Sequence, residues 1–203
     1  MALIIKQFVN SPLQNNNYLI CDEKSKEAVL IDCSFPTDDM MNWATEQGFN
    51  LKYILLTHGH FDHVLGVHYY HQHYDLKVFL SKLDRSLIEN AKRYAIHFQV
   101  DAPDAEDVQF FTSTDSFAVG QYVIQVIVTP GHTPGGVCYF VDHHLFSGDT
   151  LFHGTCGRTD FPEGNEKMMQ ESLKKLFKNL PDETIVYPGH GATTTIGHER
   201  WLY

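Results

Sequence analysis

The chain has 203 residues, 43% hydrophobic and 20% charged, with 13% aromatic; this excludes a disordered or collagen-like chain and suits one large domain over residues 1–203. Fifteen Lys plus Arg against twenty-five Asp plus Glu give a formal charge of −10, which repels a phosphate backbone and argues against nucleic acid as a partner. The four cysteines, Cys21, Cys33, Cys138 and Cys156, stand far apart without a C-x-x-C, so they read as small core hydrophobes and not as a disulfide framework or a zinc knuckle.

The opening MALIIKQFVNSPLQNNNYLI has one lysine, a short apolar run and a polar cluster, which reads as a strand and not as a signal peptide. No apolar run approaches the roughly 18 residues that cross a bilayer, so a cytoplasmic protein without a membrane partner is expected. The segments LIIKQFVN, NYLICD and AVLIDCS are short, apolar and bounded by turn residues, and predict strands. A helix is predicted over about 37–48, with Thr37 as N-cap and Gly48 after its end. KYILLTH then predicts a buried strand that runs into T-H-G-H-F-D-H at 57–63. Beyond it, VLGVHYYHQHY reads as helical, VFLS as a strand and LDRSLIENAKRYAIHF as an amphipathic helix, followed by an acidic loop over 99–107. A second series of strands, QYVIQVIVTPGH, GGVCYFVD and HLFSGDT, precedes a helix over 165–179 and the strand TIVYPGH. The pattern is a mixed α/β chain in two loosely similar halves.

Four metal-ligating side chains lie within T-H-G-H-F-D-H: His58, His60, Asp62 and His63. Imidazole and carboxylate suit zinc, iron or manganese. Three more such residues, His132, Asp149 and His190, each follow a predicted strand and sit beside glycine, and strand ends on one sheet edge are where ligands from distant sequence converge. His68, His71, His73, His97, His143, His144 and His198 have no comparable setting and read as ordinary surface or core residues.

The order H-x-H-x-D-H, then H, D and H, resembles the metallo-β-lactamase-fold superfamily over nearly the whole chain. That resemblance implies a four-layer αββα sandwich with a dinuclear metal site at one edge of the sheets. It assigns His58, His60 and His132 to one ion, Asp62, His63 and His190 to the other, and Asp149 to both, with Asp62, Asp149 and His190 as the residues nearest the chemistry. Asp32 matches a position that steadies the histidine loop; a simple turn carboxylate is the alternative. Two divalent ions, zinc first with iron or manganese sharing these ligands, would supply a bridging hydroxide. The lack of a G-x-S-x-G agrees with water as the attacking group.

The stretches GTCGRTDFP and PGHG with the G-x-E-R tail resemble the short bacterial members of the glyoxalase II-like group, the hydroxyacylglutathione hydrolases. The resemblance implies hydrolysis of a small acyl thioester, glutathione-derived and of the S-lactoylglutathione type. Longer members carry a C-terminal helical domain whose basic residues bind the glutathione carboxylates, and this chain runs only about a dozen residues past PGHG. Arg158 stands where those enzymes have lysine, and two readings are open: it holds a substrate carboxylate by paired hydrogen bonds, or it pairs internally with Asp160. GTCGRTDF also resembles the persulfide dioxygenases, which implies a mononuclear iron held by His58, His132 and Asp149. The PGHG tail favours the hydrolase. A non-enzymatic metal-binding protein on the same fold is the third reading, and the oligomeric state is not readable.

Overall fold

The computed structural model describes residues 2–10, 12–112 and 116–203. The first half forms β1 (Leu3–Asn10), β2 (Asn15–Asp22), β3 (Glu27–Ile31), α1 (Asp39–Glu46), β4 (Asn50–Leu55), α2 (Phe61–Val64), α3 (Val67–Tyr74), β5 (Lys77–Ser81), α4 (Arg85–Phe98) and β6 (Val108–Phe111). The second half forms β7 (Phe117–Val119), β8 (Tyr122–Val128), β9 (Val137–Val141), β10 (His144–Gly148), the small hairpin β11 (Leu151–Phe152) and β12 (Thr155–Cys156), α5 (Glu166–Asn179), β13 (Ile185–Pro188), β14 (Thr194–Thr195) and α6 (Ile196–Arg200). Two six-stranded sheets result, in the orders β1-β2-β3-β4-β5-β6 and β14-β13-β10-β9-β8-β7.

The alternation of side chains along the strands builds the layers. On β2 and β3, Leu19, Cys21, Ala28 and Leu30 face one way and pack on Met40, Ala44, Val67, Tyr70 and Ile88 of α1, α3 and α4. Their neighbours Tyr18, Ile20, Val29 and Ile31 face the other way and meet Val137, Tyr139 and Phe146 of the second sheet. On the far side of that sheet, Cys138 and Leu145 pack against Met169, Leu173 and Leu176 of α5. Three apolar seams between four layers define the αββα sandwich.

Inter-sheet aromatics also fix the backbone that leads to the strand ends. The Tyr139 hydroxyl donates to the Leu56 carbonyl at 2.7 Å, and the Tyr18 hydroxyl donates to the Pro188 carbonyl at 2.7 Å. Both hydroxyls are buried, and burial pushes their pKa far up, so they stay protonated donors.

Several boundaries differ from the sequence expectation. The first helix starts at Asp39, with Asp38 at the cap position, while the Thr37 hydroxyl accepts from the Asp39 amide. The helix expected after His63 breaks at Leu65–Gly66, because the Gly66 amide donates to the Cys33 carbonyl at 2.9 Å in place of an intrahelical acceptor, an approach so close that a Cβ would lie 2.7 Å from that oxygen. The acidic loop ends in a helical turn at Ala105–Asp107, where Asp104 and Asp107 cap each other. Among the described residues no helix is long and apolar enough to cross a membrane.

Candidate metal centre

His58 follows β4, His132 follows β8, Asp149 follows β10 and His190 follows β13, so the candidate residues gather at one edge, where the two sheets are stitched together. The Val137 amide donates to the Thr57 carbonyl at 2.9 Å and the Asn16 amide to the Gly189 carbonyl at 2.8 Å, each from one sheet to the other. Two glycines permit the approach. Gly148 has φ 49° and a Cβ there would lie 2.4 Å from the Thr57 hydroxyl; a Cβ on Gly189 would lie 2.3 Å from an Asp149 oxygen.

All seven sequence candidates converge. His58, His60 and His132 bring nitrogens within 4.8 Å of one another, as do the donor atoms of Asp62, His63 and His190. Asp149 lies between the two sets: its Oδ1 is 3.4 Å from His63 Nε2, and its Oδ2 is 3.5 Å from His132 Nε2 and 3.7 Å from His190 Nε2.

The partners behind the rings fix which nitrogen faces inward. Glu163 and Asp32 are acceptors, so His60 Nε2 donates to Glu163 Oε1 at 2.9 Å and His63 Nδ1 donates to Asp32 Oδ2 at 2.9 Å. His132 Nδ1 donates to the Arg158 carbonyl at 2.7 Å. The Thr57 hydroxyl donates to Asp32, which leaves it to accept from His58 Nδ1 at 3.1 Å. Each ring therefore spends its outer nitrogen on these partners and turns the other to the centre, where a bound cation would find it as a lone pair: His58 Nε2, His60 Nδ1, His63 Nε2 and His132 Nε2.

Such a donor set fits cations. His60 Nδ1 and His132 Nε2 are 2.8 Å apart with lone pairs opposed, an arrangement that a positive charge between them stabilises. His58 Nε2 and Asp149 Oδ1 are buried without a hydrogen-bond partner among the described residues, a cost of about 1–3 kcal/mol each unless an ion meets them. The field has the same sign. Burial would lower the His63 imidazole, yet Asp149, Asp32 and Asp62 raise its pKa well above the ordinary value; His190, also opposed by burial, is raised through Asp62 and Asp149. Burial opposes ionisation of Asp62 and Asp149, and the surrounding histidines, led by His63, hold both carboxyls below the ordinary range. Burial and the neighbouring imidazoles keep His58 neutral.

Asp32 is more than a turn carboxylate. It is buried, adopts φ 59°, and accepts from the Thr57 amide at 2.8 Å and hydroxyl at 2.9 Å as well as from His63. A left-handed residue with a Cβ costs on the order of 1 kcal/mol, and the carboxylate's three donors hold it there. Sequence reasoning did not single out Glu163, Asn15 or Asp84. Asn15 Nδ2 donates to Asp62 Oδ2 at 3.1 Å and reaches His190 Nε2 at 3.2 Å. Buried Asp84 accepts from the amides of Gly59 and Gly135 and from the Thr133 hydroxyl, clipping the two histidine loops together. Arg158 meets Asp160 through Nε and Nη2, each at 2.7 Å, and lies 4.2 Å over the Phe161 ring.

The centre opens into a cleft of about 1170 Å³. One wall is α4, where Tyr94 stacks on Phe61 with ring centroids 3.8 Å apart; the other carries Phe152, Cys156 and Phe161.

The fold carries at one sheet edge a cluster of donors that could hold metal, and the chain belongs to the metallo-β-lactamase superfamily, whose profile matches residues 10–190. Hydroxyacylglutathione hydrolase GloC of Haemophilus influenzae is 35% identical over 193 residues, 92% of this chain and 90% of that protein. The mitochondrial persulfide dioxygenase ETHE1 of Homo sapiens is 30% identical over 209 residues, 98% of this chain and 74% of that protein. Among solved structures, the B3 metallo-β-lactamase BLEG-1 aligns with TM-score 0.85 and 31% identity over 98% of this chain and 99% of its own. TTHA1623 in a di-iron-bound form aligns with TM-score 0.85 and 36% identity over 96% of both chains.

Proposed function

We propose that residues 1–203 act as one dinuclear metal-dependent hydrolase of the glyoxalase II type, cleaving a small acyl thioester such as S-lactoylglutathione. The observation that carries this reading is the pair of separate donor sets, His58/His60/His132 and Asp62/His63/His190, with the Asp149 carboxylate between them. Two divalent ions held there, zinc in the first instance and iron or manganese by the same ligands, supply a nucleophilic water at neutral pH and a counter-charge for the oxyanion. The chain's own contribution is placement. Asn15 holds Asp62, whose carboxyl is kept ionised and could accept a proton from a water held at the centre, and His190 faces both Asp62 and Asp149. Phe61 and Tyr94 stack as an aromatic wall of the cleft, and Arg158 is held by Asp160 through Nε and Nη2. A thiolate leaves without a proton from the protein, since the thiol pKa is about 8.5, which suits a centre whose carboxyls are held ionised.

The 30% identity to a persulfide dioxygenase favours the second reading, one iron at His58, His132 and Asp149. Counting metal per chain and assaying S-lactoylglutathione separate the two. Two ions with thioester turnover support the hydrolase; one iron, no turnover and oxygen uptake on glutathione persulfide overturn it.

A further inference from the structure

Arg158 is paired with Asp160 through Nε and Nη2, whereas a second cation in the cleft carries no such partner. On the α4 wall that cation is Arg93: it lines the cleft, is exposed, and has no ion pair or hydrogen bond among the described residues. Its neighbour Lys92, by contrast, is bound to Asp104 at 2.8 Å. Asn90 and His97 share the cleft face of α4 with Arg93.

The helix also sets a distance. Its first turn abuts the histidine loop, because a Cβ on Gly59, between His58 and His60, would lie 2.8 Å from the Leu87 Cβ. At 1.5 Å per residue Arg93 sits about 9 Å along the axis from Leu87, and His97 about 15 Å. The other charged groups of the cleft are committed: Asp62 and Asp149 face the centre, Glu163 accepts from His60, and Arg158 holds Asp160.

We infer that Arg93 is the specificity-determining residue for the leaving thiol: it takes a carboxylate or phosphate at the far end of an extended thiol whose acyl carbon sits at the metal centre. This rests on the thioester-hydrolase reading. A guanidinium binds either anion through two parallel hydrogen bonds, and the flanking Asn90 adds a neutral donor.

The test compares the metal-loaded wild type with Arg93→Ala and Arg93→Lys on S-lactoylglutathione, acetyl-coenzyme A and the uncharged S-acetyl-N-acetylcysteamine, with calorimetric binding of S-methylglutathione and S-methyl-coenzyme A alongside. Arg93→Ala is expected to raise KM for the anionic thioester by about tenfold and to weaken the matching thioether equally. The uncharged thioester, kcat and metal content should stay within about twofold, and Arg93→Lys should restore part of the loss. Dependence on Arg93 with glutathione compounds alone assigns a carboxylate, and with coenzyme A compounds alone a phosphate. Equal effects on charged and uncharged thioesters, or thioether binding indifferent to Arg93, overturn the inference. If the wild type cleaves no thioester yet binds a thioether through Arg93, the hydrolase reading fails and the anion subsite stands.

Discussion

Glu163 Oε1 lies 2.9 Å from His60 Nε2, on the side of the ring opposite the nitrogen that faces His132. The carboxylate fixes the tautomer that turns Nδ1 inward, and it sits in the P-E-G stretch where no sequence signal marked it. Burial opposes its ionisation, and His60 holds its carboxyl below the ordinary range. Glu163→Ala should weaken metal retention about 10- to 100-fold, read as metal per chain against a graded chelator. Glu163→Gln should recover part of it, through its amide oxygen. Equal retention in all three proteins would remove the positioning role.

Asp32→Ala should cost far more in folding. The change leaves the Thr57 amide and His63 Nδ1 buried without their acceptor, at about 1–3 kcal/mol each, and keeps a left-handed φ on a residue that tolerates it less well than Asp. A loss of about 3 kcal/mol is expected in urea unfolding of the metal-free protein. A loss under about 1 kcal/mol would return Asp32 to the status of a turn residue.

The thiols should divide by burial. Desolvation pushes Cys138 up to about 11 and Cys21 up to about 12, and Cys33, wholly buried beside Asp32, is also raised. Thiolate is the reactive form, so these three should resist iodoacetamide at pH 8, well below their raised pKa values, with Cys138 losing that resistance before Cys21 as the pH climbs. Cys156 is partly exposed on the cleft wall, and peptide mapping should find it the thiol alkylated in the native protein at pH 8. Rapid alkylation of Cys138 in the folded chain would contradict the packing of α5 on the second sheet.

The ligands were legible because each requirement leaves a local mark: a histidine or carboxylate, a glycine that lets the backbone turn, and an apolar strand before it. His132 and Asp149 carry all three. Asp84 has the carboxylate but no neighbouring glycine, stands a helical turn beyond β5, and is defined by the Gly59 and Gly135 amides and the Thr133 hydroxyl that the fold brings to it. The same holds for Asn15, one of three successive asparagines in sequence, singled out only by the bridge it forms with His190. In the fold, the β-branched and apolar runs marked the central strands, whereas β6, just after the acidic loop, and β7 are short, paired at edge positions, and poor in alternation. The break at Gly66 depends on the Cys33 carbonyl, a contact more than thirty residues away in sequence.

The pairing of Arg158 with Asp160 allows a direct comparison with Arg93. Both side chains of the pair are mostly exposed, at 60% and 67%, so the ion pair adds little to stability. Arg158 nonetheless holds the Asp160 carboxyl down to about 2. A depressed carboxyl contributes stability above its unfolded pKa and loses it as pH falls through the folded value, so whatever the pair adds is confined to pH above about 4 and gone near pH 2. In Arg158→Ala, an NMR titration should find the Asp160 carboxyl back near the ordinary value of about 3.9, with the unfolding midpoint at pH 7 unmoved, as for an exposed pair. With the substrate anion on Arg93, KM for S-lactoylglutathione should change by less than about twofold in Arg158→Ala. A rise of about tenfold in Arg158→Ala at unchanged metal content would show that substrate displaces Asp160, and would move the carboxylate subsite from α4 to the loop after β12.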